Sequence, residues 1–357
     1  MTQLILFIIG LAALTFGAEL LVRGASRLAL TFGLSPLVVG LTIVAFGTSA
    51  PEIAVAIDAA LAGQSDLTIG NVVGSNICNI LLILGLGSLV GPLVVVGQVV
   101  RQEVPVMIAA SALVVGLAFN GTISGLEGVF LFVLLVVYIV FLVRQSRRAS
   151  RREQEHYGEE LPKATWDQHW AVQGGLVLAG LALLVIGADW LVDAAVTFAH
   201  WLGVSDLVIG LTVVAVGTSL PEIATSVMAA WRGERDLAIG NAVGSNVFNL
   251  LGCLGLGAMM SPEGLPVAAA ALDFDLWVML AVAVACLPIF LARKRIARWE
   301  GMLFLLYYVA YVLYLVLDAR GSGMLKTFNQ AMLWFVMPMT VLTLVALTMR
   351  DRRNGAH

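Results

Sequence analysis

Gly70-Asn71-Val72-Val73-Gly74-Ser75-Asn76-Ile77-Cys78-Asn79 returns 170 residues later as Gly240-Asn241-Ala242-Val243-Gly244-Ser245-Asn246-Val247-Phe248-Asn249. Outward from this motif the match runs without a gap from Gly33–Gly85 against Gly203–Gly255, with 32 of 53 positions identical. It reaches upstream to Gly17-Ala18-Glu19 against Gly187-Ala188-Asp189. Any two apolar helices look alike in composition, but these identities include polar residues. Thr48, Ser49 and Glu52 match Thr218, Ser219 and Glu222, and Asn71, Ser75, Asn76 and Asn79 match Asn241, Ser245, Asn246 and Asn249. The chain is a tandem duplication.

Composition places the duplicated unit in a membrane. Of 357 residues, 60% are hydrophobic and 12% charged, against roughly 25% charged in a soluble domain. Mean hydropathy is +0.96. A water-soluble globular enzyme is excluded. Apolar stretches of about 20 residues read as transmembrane helices, and an outer-membrane barrel, with short alternating strands, is excluded as well. Spans are expected at 3–29, 34–61, 67–92, 102–119 and 123–144, then at 170–199, 204–231, 237–260, 273–292 and 299–317. An apolar stretch at 328–349 has no counterpart in the first half. The expected fold is an all-α polytopic membrane protein. A first five-helix repeat covers 1–144, a linker 145–168, a second repeat 169–318, and an extra C-terminal helix with a basic tail 319–357.

Basic residues set the orientation, because short cytoplasmic loops retain Lys and Arg. With the linker in the cytoplasm and the spans alternating from it, 18 of the 20 basic residues fall on the cytoplasmic side and only Arg320 and Lys326 outside. The N-terminus is then external and the C-terminus cytoplasmic, in what is expected to be the bacterial inner (plasma) membrane. Met-Thr-Gln-Leu carries no basic residue ahead of its apolar run, so the first span is expected to be retained rather than cleaved. Five spans per copy is an odd number, so the second repeat enters the membrane inverted, a plan in which substrates bind near the midplane where the repeats meet. The net charge of −3 gives no reason to expect a nucleic-acid partner. The partner is the lipid bilayer, and no obligate protein partner is evident. Cys78, Cys253 and Cys286 stand alone in apolar runs and read as small packing residues.

Chemistry concentrates in two motifs. Gly47-Thr48-Ser49-Ala50-Pro51-Glu52 and Gly217-Thr218-Ser219-Leu220-Pro221-Glu222 lie in the middle of apolar spans. A carboxylate at that depth costs several kcal/mol unless it faces a partner or a wet cavity. Pro51 and Pro221 cannot donate to the carbonyls of Gly47 and Gly217, so the helices should loosen there and free carbonyls around Ala45, Gly47, Thr48, Ala215 and Thr218. On the following span Asn71, Ser75 and Asn79 are spaced by four and share a face, beside a small-residue stripe of Gly70 and Gly74 that permits close helix approach. Asn71, Asn76 and their copies read chiefly as glue between helices, and Ser75, Asn79 and their copies chiefly as site residues. Every candidate ligand is an oxygen. His156, His169, His200 and His357 lie in loops, near span ends or in the tail, so hard cations are favoured over zinc, copper or iron. Two carboxylates balance one Ca²⁺, and the same oxygens suit Na⁺.

At these residues the chain resembles the cation/Ca²⁺ exchanger superfamily, specifically prokaryotic Na⁺/Ca²⁺ antiporters. The resemblance implies ten core helices in two inverted halves, and exchange of Na⁺ for Ca²⁺ by alternating access, with no cofactor beyond the transported ions. It implies a metal site of Glu52 and Glu222 as central carboxylates, hydroxyl or carbonyl oxygens from Thr48, Ser49, Thr218, Ser219, Ser75 and Ser245, the carbonyls of Ala45 and Ala215, and Asn79 and Asn249 completing the ring. Potassium-dependent relatives carry Asp where this chain has Asn249, and proton-coupled relatives carry a Glu–His pair where it has Gly74-Ser75 and Gly244-Ser245. A Ca²⁺/H⁺ or K⁺-dependent antiporter is the alternative, followed by a passive cation channel. An intramembrane hydrolase lacks a His or Lys base within the spans. Two further sets of acids stand out. Asp58 aligns with Met228 and reads as a solvated helix end or part of an ion entry path, and Glu19, equivalent to Asp189, is expected to pair with Arg23 one turn on.

Overall fold

The structure is a computed structural model that describes residues 2–157, 169–202, 213 and 215–338. Its first half consists of α1 (Thr2–Phe32), α2 (Pro36–Thr48), α3 (Ala50–Leu61), α4 (Ser65–Val90), α5 (Val99–Ala118) and α6 (Gly125–Tyr157). The second half repeats the order with α7 (Trp170–Trp201), a short turn Ala215–Gly217, α8 (Leu220–Trp231), α9 (Arg235–Met260), α10 (Ala271–Leu291) and α11 (Arg298–Ala319). A last helix, α12 (Met324–Ala331), follows. Among the described residues eight helices are each long and apolar enough to cross a membrane, and α2 with α3, bent by 46° at Ser49, makes a ninth. These nine coincide with nine of the expected spans. The span expected at 204–231 is described only at 213 and from Ala215 onward, and the one at 328–349 only to 338; the remainder lies outside the described residues. Helix α6 runs on to Tyr157, so the linker expected from 145 begins as a helical extension.

The helices that carry the Asn-rich motif form the centre. In α4 78% and in α9 83% of the apolar window is buried, against 28% in α7 and 6% in α11. Gly, Ser and Asn side chains are small enough to let neighbouring backbones close in on them, while the Leu- and Val-rich helices outside turn their bulk to lipid. Glycine also joins α1 to α7. A Cβ on Gly17 would stand 2.9 Å from the Gly180 carbonyl oxygen, and one on Gly180 2.8 Å from that of Gly17. The first helices of the two halves therefore pack backbone to backbone.

Two short antiparallel ladders tie the halves together at the helix ends. Strand β1 (Leu93–Val94) pairs with β4 (Arg295–Ile296), and β2 (Thr122–Ile123) with β3 (Leu265–Pro266). Each ladder joins a loop of one half to a loop of the other, and both loops fall on the same side in the alternation read from the sequence. The ladders also pair backbone groups that would otherwise be left open where the chain leaves a helix. The helices depart from regular α geometry at matching places. One-turn π-helical segments occur at Asn79–Leu84 and Phe248–Cys253, and at Val99–Glu103 and Ala271–Asp275. Such bulges re-aim side chains and are frequent at functional sites.

Candidate cation site

The two Pro-containing motifs build the site from the backbone outward. At Ser49 (φ −83°, ψ 6°) and Ser219 (φ −89°, ψ 5°) the chain leaves helical geometry, and new helices start at Ala50 and Leu220. Pro51 and Pro221 then sit in a first turn, where a missing N–H costs nothing. Glu52 and Glu222 occupy the same first turns, where unpaired N–H groups and the helix dipole favour a negative charge. Both glutamates are 1% exposed.

The break does not free every carbonyl expected of it. Ala45 still accepts the Ser49 N–H at 3.0 Å and lies 3.4 Å from the Thr48 hydroxyl. The α turn closes once more before the chain bends, so this carbonyl keeps a donor. In the second copy the Ser219 N–H donates instead to Val216, at 3.1 Å, one position beyond the equivalent residue Ala215.

Side chains from the two halves interlock around the bends. The Ser49 hydroxyl donates to Glu222 Oε1 at 3.0 Å, and the Ser219 hydroxyl to Ser75 Oγ at 3.3 Å. Thr48 Oγ1 donates to Asn241 Oδ1 at 3.1 Å, and Thr218 Oγ1 to Asn71 Oδ1 at 3.4 Å. Asn79 Nδ2 donates to Asn246 Oδ1 at 3.2 Å. Ser219 and Glu222 are the electrostatic neighbours of Glu52. In the second half the Cys253 thiol donates to Asn249 Oδ1 at 3.4 Å, and Ser245 is fully buried.

What remains unpaired defines the chemistry. Among the described residues, both oxygens of Glu52, Oε2 of Glu222, Oδ1 of Asn79, Oδ1 of Asn76 and Oγ of Ser245 are buried without a hydrogen-bond partner. Orphaned oxygens of this kind, three of them on carboxylates, are costly in a low-dielectric interior. No ion pair to either glutamate is found among the described residues, where Glu19 pairs with Arg232. Nor do these residues contain a cluster of three or more His, Cys, Asp or Glu able to hold a metal. The described residues thus gather two carboxylates among a majority of neutral oxygens, with no ion-paired cationic side chain on either carboxylate.

The two approaches to these residues differ. Where α2 crosses α9, a Cβ on Gly240 would stand 2.7 Å from the Leu37 carbonyl oxygen and one on Gly40 2.8 Å from that of Leu237. Thr48 and Asn241 behind them are 1% and 0% exposed. On the equivalent face of α4, Gly70 is exposed, a Cβ there would meet nothing within 4 Å among the described residues, and Asn71 and Thr218 are half-buried; of 206–214, the stretch equivalent to residues 36–44 of α2, only 213 is described. Asn241 Nδ2 donates to Ser226 Oγ at 2.9 Å, whereas Asn71 Nδ2 has no partner and the residue equivalent to Ser226 is Ala56.

Other residues fall elsewhere. Asp58 is exposed near the end of α3, and Glu19, expected to meet Arg23, is paired with Arg232 across the halves. The repeated motifs do not mark Ser226, although it lies four residues beyond Glu222 and so on the same helix face. Met107 and Met279 also stand outside them, and no polar pattern points to either.

The model of the family described as sodium/calcium exchanger protein matches residues 2–144 and 172–317. The chain belongs to the sodium/calcium exchanger family. It is 33% identical over 343 residues to the sodium/calcium exchanger MaX1 of Methanosarcina acetivorans, covering 87% of this chain and 97% of the relative. It is 38% identical over 289 residues to the inner membrane protein YrbG of Escherichia coli K12, covering 79% and 87%. Among solved structures, the sodium-calcium exchanger NCX_Mj soaked with Na⁺ and Sr²⁺ matches with a TM-score of 0.74 and 31% identity, over 87% of this chain and 97% of that one. Membership makes the chain a multi-pass cation/Ca²⁺ exchanger rather than an enzyme, with ions as substrates and no cofactor.

Proposed function

We propose that the chain exchanges Na⁺ for Ca²⁺ by alternating access at the site between the two Pro bends. The observation that carries the reading is the set of buried, partnerless oxygens centred on Glu52 and Glu222. Two fixed negative charges balance one Ca²⁺, which takes about 6–8 oxygens; several Na⁺ can occupy the same oxygens in its place. Glu52 and Glu222 supply the charge. Thr48, Ser49, Thr218, Ser219, Ser75, Ser245, Asn79 and Asn249 supply neutral oxygens, and the Ala45 and Ala215 carbonyls supply backbone ones, a carbonyl having a second lone pair beyond the one an N–H takes. A site that is unfavourable when empty, and cannot hold both ions fully, couples the Na⁺ gradient to Ca²⁺ movement in the opposite direction.

The basic-residue distribution supports an external N-terminus and a cytoplasmic linker and C-terminus, in a bacterial inner membrane. In that orientation the α2–α9 contact seals the cytoplasmic side and the α4 face opens outward. Helices α1 and α7 carry none of the proposed ligands, and their glycine contacts make them one unit able to slide across the rest. The test is ⁴⁵Ca²⁺ uptake into vesicles loaded with Na⁺. Uptake should follow the outward Na⁺ gradient and vanish in Glu52→Gln and Glu222→Gln. Uptake driven equally by a pH gradient without Na⁺ would assign proton coupling, and uptake that survives both substitutions would refute the site.

A further inference from the structure

Helices α5 and α10 contribute none of the proposed ligands, yet each places one buried thioether against an asparagine of the opposite half. Met107 Sδ lies 3.2 Å from Asn246 Nδ2, and Met279 Sδ lies 3.6 Å from Asn76 Nδ2. The sulfurs belong to residues 0% and 1% exposed, and both asparagines are also buried. The arrangement is repeated: Met107 reaches from the first half to the second, and Met279 from the second to the first.

A primary amide has two chemically opposite ends. Its oxygen can ligate a cation; its NH₂ group repels one. A buried asparagine near a cation site therefore needs something to fix which end points where. A thioether sulfur accepts hydrogen bonds and donates none, so it can be satisfied only by the NH₂ end. With Asn246 Nδ2 on Met107, Asn246 Oδ1 is turned to receive Asn79 Nδ2 at 3.2 Å. That in turn leaves Asn79 Oδ1 buried and without a donor. Each link carries the same polarity, from sulfur through two amides to a free oxygen. The shorter version on the other side has the same outcome: Asn76 Nδ2 rests on Met279, and Asn76 Oδ1 is buried without a donor.

We propose that Met107 and Met279 are positioning residues that set amide polarity, so that Asn79 and Asn76 present oxygen rather than NH₂. The proposal rests on the exchange function proposed above and gives Asn76 and Asn246 a role beyond joining helices. Leu matches Met in volume, and such swaps usually fold, but Leu accepts no hydrogen bond. Gln has the same reach and restores an acceptor.

The test compares the KM for Ca²⁺ in Na⁺-driven uptake by Met107→Leu, Met107→Gln and the unaltered chain, with thermal unfolding measured in parallel. Loss of one neutral hydrogen bond should raise KM about fivefold in Met107→Leu, with maximal rate unchanged. Met107→Gln should return KM to the unaltered value. Met107→Leu added to Asn246→Ala should raise KM no further than Asn246→Ala alone, because Met107 acts through Asn246. Equal KM in the Leu and Gln variants, or additive effects with Asn246→Ala, would overturn the proposal. Should Met107→Leu fail to accumulate, the Leu and Gln pair at Met279, with Asn76→Ala as the background, decides the question by the same criteria. Absence of Na⁺-driven uptake in the unaltered chain would instead strike the proposed function.

Discussion

The two approaches to the glutamates are built from the same motif and stand in different states. On α9, Gly240 and Gly244 are pressed against α2, where Gly40 leaves room for the contact, and Thr48 and Asn241 are shut away behind them. On α4, Gly70 is exposed and Asn71 is half-buried. Near-identical sequence gives one face pressed against its neighbour and one with open space among the described residues, an asymmetry of the kind that the proposed alternating access would use. The difference also has a chemical part. Ser226 holds the Asn241 amide on the closed side, and Ala56 offers Asn71 nothing on the other.

Substitutions that treat the halves alike should hit hardest. Glu52→Gln and Glu222→Gln each remove one of two buried charges that the cation must meet, and loss of one partner from such an arrangement should cut exchange about 100-fold or more, as read by ⁴⁵Ca²⁺ uptake. Glycine substitutions should then separate the two sides. Gly240→Ala forces a Cβ against the Leu37 carbonyl oxygen, and overpacking of this order should lower the exchange rate about tenfold by opening the closed side. Gly70→Ala meets nothing within 4 Å among the described residues. It should fold and bind Ca²⁺ normally yet turn over slowly, because closing that side brings a backbone to the new methyl group. Comparing Ca²⁺ binding with Ca²⁺ exchange in the two variants checks this.

A smaller effect is expected from the hydroxyl that breaks the symmetry. Ser226→Ala removes the nearer of two acceptors of the Asn241 NH₂ group, the other being the Glu222 carbonyl at 3.4 Å, and should loosen the closed side by about fivefold, seen as faster hydrogen exchange in residues 36–44. Ala56→Ser should act oppositely by giving Asn71 an acceptor. The smallest effect belongs to Asp58→Asn. This exposed charge acts only through a field that salt screens within about 8–10 Å, so KM for Ca²⁺ should change less than about twofold at physiological ionic strength.

The helical fold and the polar residues of the candidate site are legible in the sequence because membrane burial makes each polar residue conspicuous. Glu52 and Glu222 stand out in apolar spans, and their spacing from Ser49, Thr48, Ser219 and Thr218 follows directly. The bend was legible too, since Pro51 forbids a hydrogen bond wherever the helix runs. Its consequence at Ala45 was not, because whether a carbonyl keeps a donor depends on where the chain turns within a single residue. Met107 and Met279 were illegible for the opposite reason: thioethers are apolar by composition, and only contact with Asn246 and Asn76 gives them a polar task. The two short ladders escaped notice because strands of two residues carry no periodicity. Local spacing offers Glu19 its neighbour Arg23, and Arg232 reaches it through tertiary packing that no local spacing shows.

Everything proposed for transport depends on one cage of buried oxygens around Glu52 and Glu222 holding Ca²⁺ or Na⁺ in turn. Equilibrium ⁴⁵Ca²⁺ binding to the purified chain during titration with Na⁺ measures that competition without any contribution from transport. One Ca²⁺ per chain is expected, displaced by Na⁺ with a Hill coefficient above one, and no binding once either glutamate is replaced by Gln. Ca²⁺ binding that is indifferent to Na⁺, or that persists in both Gln variants, would contradict the single shared cage.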